Sequence, residues 1–416
     1  MILLNKFSKA IAVFASVCLI SLMGCGKNAE VKKPDELSGT ISIAADTNND
    51  QIIKTAAEDF KTSNPKVNIN IQPMDTASLL SSKDEKYKKY DLYITGEENM
   101  QEILNLNSKL FYDLGSSITD GKGSILKGYI PNNSYNGKTY GYPWYTYAYV
   151  IYYRQDLFKE AGVPAEDIKT WQQFIDAAVK VNKSTGKRIV TQESTGRLYS
   201  ILLNQLRGGY VDKNGKSLIS SNVSINAIGV LNSLYSEALL YNSNNISNEI
   251  RNDKVSAVIG NSSNMTAVSK SSPNMKGKWQ IIQLPAFEPA GNRSVTFGGS
   301  SLLLNKDSKN SKLALDFLKF LSNDKDVNVK LSQNFGTVPI CIDVSQSIDL
   351  KKENNFFNGN EYKLYEAIAR LSPVVNYTSR YSTINGILEQ NLDKLHGSNA
   401  DINSIVIDMD EEINGI

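Results

Sequence analysis

From residue 40 the polarity of the chain changes period again and again. Thr40-Ile-Ser-Ile-Ala-Ala45 alternates and predicts a strand, and Ile52, Ile53, Ala56, Ala57 and Phe60 follow at helical spacing. Asn64-Pro65 ends that helix, because proline disfavours the helical region for the residue before it. Val67-Asn-Ile-Asn-Ile71 alternates again, Tyr90-Asp-Leu-Tyr-Ile-Thr95 predicts a third strand, and Met100, Ile103 and Leu104 mark the next helix. Strands alternating with helices predict βαβ units and a mostly parallel sheet.

The texture then changes. Asn136-Gly137 is a hairpin signal. From Tyr140 to Tyr153, eight of fourteen residues are aromatic. Asp156 to Ala161 predicts a short helix ending at Gly162, and Thr170 caps a longer one through Trp171, Phe174, Ala177, Ala178 and Val181. Further helices are expected over 198–206 and 225–239. Strands are expected at 255–259, 279–284 and 301–304, the last preceded by Gly298-Gly299-Ser300. Ser311 opens a helix carrying Leu313, Ala314, Phe317, Leu318 and Leu321; beyond Leu350 the chain reads as helical, interrupted around Pro373 to Tyr381. Trp171 and Trp279 are expected in cores, one starting an amphipathic helix and one an apolar strand.

The first residues carry a different message. Lys6 and Lys9 make a basic head, and Ala10 to Met23 is uncharged. That run is shorter than the roughly 20 apolar residues a spanning helix needs, and it fits the apolar core of an export signal. Leu22-Met23-Gly24-Cys25 closes it and resembles the lipobox of bacterial lipoproteins, with Met23 bulkier than usual. This predicts a signal peptide over 1–24, lipid on Cys25, and a polar tether over 25–37. Two acyl chains suffice for stable anchoring. Cys18 would leave with the signal, so Cys341 has no partner for a disulfide in the mature chain. Without its two leader lysines the chain balances 43 basic against 43 acidic residues. It has no basic stripe for nucleic acid and no second long apolar run.

Several segments together resemble the extracellular solute-binding proteins of ATP-driven sugar importers, the maltose-binding type. They are Asn136-Gly-Lys-Thr-Tyr-Gly-Tyr-Pro143, Val150-Ile-Tyr-Tyr-Arg-Gln-Asp-Leu-Phe-Lys-Glu-Ala-Gly-Val163 and Lys169-Thr-Trp-Gln-Gln-Phe174. Phe297-Gly-Gly-Ser300, Ala314-Leu-Asp-Phe-Leu-Lys-Phe-Leu321 and Gly336-Thr-Val-Pro339 continue the match in order. The resemblance implies an α/β fold of two lobes, of the type II periplasmic-binding-protein kind, with the ligand cleft between them. Crossings are expected near Tyr147, Arg293 and Gly336. The first lobe would hold 38–146 and 294–336, and the second 147–293 and 337–416. It also implies a carbohydrate ligand, a membrane permease as partner, a monomer, and no cofactor or metal.

A sugar needs aromatic plates for its C–H faces and carboxylate, amide or guanidinium groups for its hydroxyls; pockets combine such a lining with a few placed polar groups. Trp144 is the foremost candidate plate, with packing in a lobe core as the competing role. Tyr145 and Tyr147 share a strand face, and Tyr145 is the second choice. Asp46, Thr47 and Asn48 end the first strand, with a helix cap as the competing role. Glu97 and Glu98 follow the third strand, one for hydroxyls and one for the next helix's N-terminus. Gly299 and Ser300 offer backbone and hydroxyl donors or a tight turn. Tyr199, Asn264, Tyr377 and Tyr381 are candidates from the second lobe. The family often has a Trp where Asn261-Ser-Ser-Asn-Met265 stands, so this chain has one plate fewer for a long oligosaccharide.

An enzyme is disfavoured. The single histidine, His396, lies in a polar stretch, no Cys/His pair is evident, and no two acids stand at a defined spacing. A receptor for ferric ion through paired tyrosines, one for a polyamine through cleft acids, and a sensor or adhesin on the same fold remain as alternatives.

Overall fold

The computed structural model describes residues 36–76, 79, 89–119, 125–357, 359–396 and 400–416. The expected signal peptide, the lipidation site Cys25 and nearly all of the tether lie outside the described residues.

The alternating segments form β1 (Gly39–Asp46), β2 (Val67–Met74) and β3 (Leu92–Gly96), all parallel. The hairpin β4 (Ser134–Tyr135) and β5 (Lys138–Thr139) turns on Asn136 and Gly137, whose φ angles of 48° and 76° suit a two-residue loop. The aromatic stretch is one long strand, β6 (Gly141–Arg154). A second parallel set comprises β7 (Arg188–Thr191), β8 (Leu240–Asn242) and β9 (Val255–Asn261). Then come β10 (Trp279–Gln283), β11 (Thr296–Leu304) and β12 (Val338–Pro339), each antiparallel to β6. The order is β2-β1-β3-β11-β6-β9-β7-β8, with β10 and β12 also on β6. The sheet is therefore parallel only at its two flanks. Its centre is antiparallel because β6 and β11 run straight from one side of the molecule to the other, with no helical crossover to reverse them.

β6 changes partner midway. Its residues up to Ala148 pair with β11, and from Tyr149 they pair with β9. The register against β11 slips where Pro143, with no N–H to give, meets Ser301. Apolar cores lie on either side of that change. One side packs Ile41, Ile43, Ile94, Tyr142, Trp144, Phe317 and Leu318; the other packs Ile151, Phe174, Ile189, Leu231, Ile259 and Ile384. Val295 and Phe297 belong to the second side, and Ile340 to the first.

Seven helices bear on the site: α1 (Asp50–Ser63), α2 (Met100–Asn107), α3 (Trp171–Thr185), α4 (Thr195–Gln205), α5 (Ser262–Ser271), α6 (Glu361–Leu371) and α7 (Tyr381–Leu392). α3 starts with a full capping box between Thr170 and Gln173 and stops at Gly186 in the left-handed region. The Pro373 interruption is the loop between α6 and α7. Trp171 and Trp279 are buried in cores as expected, and Trp171 Nε1 donates to Gln205 Oε1 at 3.1 Å. Among the described residues no helix is long and apolar enough to cross a membrane.

Candidate functional site

In parallel sheets, ligands gather beyond the carboxyl ends of strands. Here four such ends converge. β1 and β3 end at Asp46 and Gly96 on the first side, and β7 and β9 end at Thr191 and Asn261 on the second.

The first wall is acidic. Asp46 accepts from Asn49 N at 3.1 Å, Asn49 Nδ2 at 2.8 Å and Gly96 N at 2.8 Å. Burial still pushes its carboxyl upward against those bonds. Glu97 is 3% exposed, and its Oε1 accepts from Asn132 Nδ2 at 3.3 Å. Burial raises its pKa to about 8, with the charge of Glu98 adding to the rise. Glu98 is raised by burial too, while Arg197 pulls it down; its Oε2 has no hydrogen-bond partner among the described residues.

The second wall is built around a cation. Glu193 Oε1 accepts from Tyr149 OH at 3.0 Å and Asn261 Nδ2 at 3.3 Å, and its Oε2 lies 2.9 Å from Arg197 Nε. The Arg197 guanidinium sits 5.1 Å over the Phe297 ring. Gly298, at φ 71°, makes room for it, since a Cβ there would come within 2.7 Å of Arg197 Nη2. From Phe297 an aromatic ladder runs through Tyr377 at 5.5 Å and Tyr381 at 5.1 Å to Tyr210 at 5.9 Å.

The walls meet. Arg197 Nη1 stands 3.9 Å from Glu98 Oε1. Farther out, Glu102 of α2 accepts from Ser382 Oγ of α7 at 2.5 Å. Tyr147 is the half-buried ring between them, its hydroxyl feeling Glu98, Asp46 and Arg197 together. Neighbouring Tyr145 packs at 5.5 Å and gives its hydroxyl to Asn49 Oδ1 at 2.7 Å.

The expected residues are distributed unevenly. Asp46, Glu97 and Tyr145 lie at the first wall, and Tyr381 is in the ladder. Thr47 and Asn48 are exposed just beyond Asp46. Trp144 falls where the pairing with β11 slips, is 1% exposed within the first side's core, and sets its ring edge-on 5.1 Å from that of Tyr145. Alternation puts Tyr145 and Tyr147 on one face of β6 with rings 5.5 Å apart, while Trp144, at the slip, packs beside Tyr145 in the core. Tyr199 is wholly buried and bonded to Ser224 Oγ at 2.7 Å. Asn264 is half of the box that starts α5. Ser300 spends its hydroxyl on Thr95 O at 2.9 Å. Gly299 has φ 116°, and a Cβ there would come within 2.2 Å of Tyr145 O, so the glycine serves a close backbone approach. Glu193, Arg197 and Phe297 were not among the expected site residues. Ser194 opening α4 straight after β7 was the signal that could have located the first two. Among the described residues no group of three or more His, Cys, Asp or Glu could hold a metal ion.

Residues 44–328 match the family model of the bacterial extracellular solute-binding protein. The chain belongs to that family. A relative from Bacillus subtilis (strain 168), named arabinooligosaccharide-binding protein, is 29% identical over 64% of this chain and 67% of its own length. One of the same name from Halalkalibacterium halodurans is 26% identical, over 58% of this chain and 56% of its own length. The matches thus span between about half and two thirds of these curated relatives. The solute-binding protein also superposes on the sugar-binding protein MalE of Xanthomonas citri with a TM-score of 0.78 at 16% identity, covering 91% of this chain and 97% of that one. Its fold is therefore the two-lobed α/β fold of maltose-binding-type receptors, with the cleft between the lobes. As an extracellular solute-binding protein it works outside the cytoplasm, and its family is one of receptors, not enzymes.

Proposed function

We propose that this solute-binding protein captures a carbohydrate outside the cell and delivers it to the permease of an ATP-driven importer. The observation that carries this reading is the facing of two walls with complementary chemistry. Desolvated carboxylates of Asp46 and Glu98 stand ready to accept from hydroxyls, Arg197 to donate, and Tyr147 and the Tyr377–Tyr381 ladder to cover apolar sugar faces. The relatives named for arabinooligosaccharides make pentose oligomers the first ligands to try. In this reading the lobes hinge where β6, β11 and β12 lie side by side. One lobe comprises about 38–146 and 294–336 with Ile340, the other about 147–293 and 337–416 with Val295 and Phe297. The protein acts as a monomer, held at the outer face of the membrane by lipid on Cys25.

A thermal-shift screen against mono- and oligosaccharides tests it, because a solute that binds only the folded state raises the melting temperature. The expected result is a rise with at least one sugar. No rise with any sugar, together with a clear rise with spermidine, would replace it by the second reading. The observation favouring that alternative is that the acids Asp46, Glu98 and Glu193 gather around Arg197.

A further inference from the structure

Beside the main cleft the two lobes enclose a second space of about 250 Å³. Leu126, Lys127, Gly128, Tyr129 and Asn132 wall it from one side, and Arg370, Ser372, Pro373 and Val374 from the other. Glu97 is its boundary with the main site: it lines this space while its neighbour Glu98 faces Arg197. The volume would hold roughly eight waters at about 30 Å³ each, which is room for one pyranose or furanose ring and no more. Binding sites for whole drug-sized ligands run to about 300–1,000 Å³.

We propose that this space is a side subsite for the terminal residue of a short neutral oligosaccharide whose remaining residues occupy the main cleft, so that the protein discriminates by chain length. This rests on the carbohydrate reading above. Three observations support it. The lining mixes hydrogen-bonding groups (Lys127, Asn132, Ser372, Glu97) with the apolar faces of Leu126, Pro373 and Val374, as a sugar ring requires. It carries little charge, because Arg370 is held by Glu366 at 2.7 Å and burial keeps Glu97 protonated near neutral pH, leaving the single ammonium of Lys127 in the lining. And the walls belong to both lobes, already latched beside the space by Tyr129, whose hydroxyl meets Thr296 Oγ1 at 2.9 Å and Ala369 O at 3.3 Å. A ring seated there touches both lobes and so favours closure, whereas a monosaccharide in the main cleft leaves the space to water.

The test is calorimetric titration with arabinose, arabinobiose and arabinotriose, extended to galactose and β-1,6-galactobiose. Val374 is 36% exposed, so Val374→Trp fills the space without disturbing a core. Gly128→Leu fills it from the opposite wall, where a Cβ would stand 3.8 Å from Val374 Cγ2. The expected result is affinity rising roughly tenfold or more from mono- to oligosaccharide in the wild type. Either filling variant should erase that gain and leave monosaccharide affinity unchanged. A gain with length that survives both fillings, an equal loss at every length, or wild-type affinity independent of length overturns the side subsite alone. A wild-type protein that binds none of these sugars overturns the carbohydrate reading and the subsite with it.

Discussion

The two walls of the cleft solve the problem of buried charge in opposite ways. On the β1/β3 side, Asp46 is held mainly by N–H groups of Asn49 and Gly96, and Glu97 and Glu98 are left with few partners. On the β7/β9 side, Arg197, Glu193, Tyr149, Asn261 and Phe297 form a closed set in which charge, hydroxyl and ring answer one another. The second wall is preorganised and nearly neutral by itself. The first is completed only from across the cleft, by Arg197 or by a ligand's hydroxyls. A receptor with one finished wall and one unfinished wall has its recognition energy released on closure, when the desolvated acids gain their donors.

Four experiments can break or sharpen this contrast. The largest effect is expected in the core behind the first wall. Trp144→Ala empties a core position and should cost about 3–5 kcal/mol of stability in urea titration, while the folded variant keeps its sugar affinity. Tyr147→Ala should do the reverse, with little change in stability and about tenfold weaker binding. Next, Arg197→Met strands Glu193 and Glu98. Tempered by the partial exposure of that side chain, it should lower stability by about 2 kcal/mol and abolish measurable binding; unchanged binding would remove Arg197 from the site.

The third follows from Glu97. Its carboxyl rises from 4.5 to about 8 on folding, so between those values the folded state keeps a proton that the unfolded state releases. Stability is then fully present below the lower value and is lost as pH rises through the upper one. The raised carboxyls of Asp46 and Glu98 add in the same sense. Melting temperature measured from pH 5 to pH 9 should fall, and Glu97→Gln should flatten the slope. The smallest effect belongs to the outer contact between the walls. Glu102→Gln weakens an exposed bond to Ser382 and should change affinity by no more than about threefold, within the 1 kcal/mol or less of surface pairs.

How much of this was legible in the sequence depends on how local the signal is. The strand-then-helix segments from Thr40 to Leu104, the Asn136-Gly137 turn, the Thr170 cap and the break at Pro373 each depend on neighbours within a few residues, and each is present. The antiparallel centre was not legible, because nothing in the pattern of β6 tells which distant strand it meets. The same holds for the site. Asp46 and Glu97 follow from the simple rule that strand ends point at ligands, and the structure places both at such ends. Arg197 needed knowledge that Phe297, a hundred residues away, lies beneath it. Trp144 was favoured for its chemistry, yet it lies at the slip in the pairing of β6 and is packed in the core beside Tyr145.

β6 bonds to one lobe's strands with its first half and to the other lobe's with its second, and β11 and β12 lie against the same few residues. Where a loop hinge would be the softest place in a molecule, the hinge proposed above is clamped from both edges. In heavy water the amides from Thr146 to Val150 should therefore be among the last to exchange, with the cleft open or shut. The axis about which such a receptor swings would be its most protected backbone, and its mobility would be confined to a single angle.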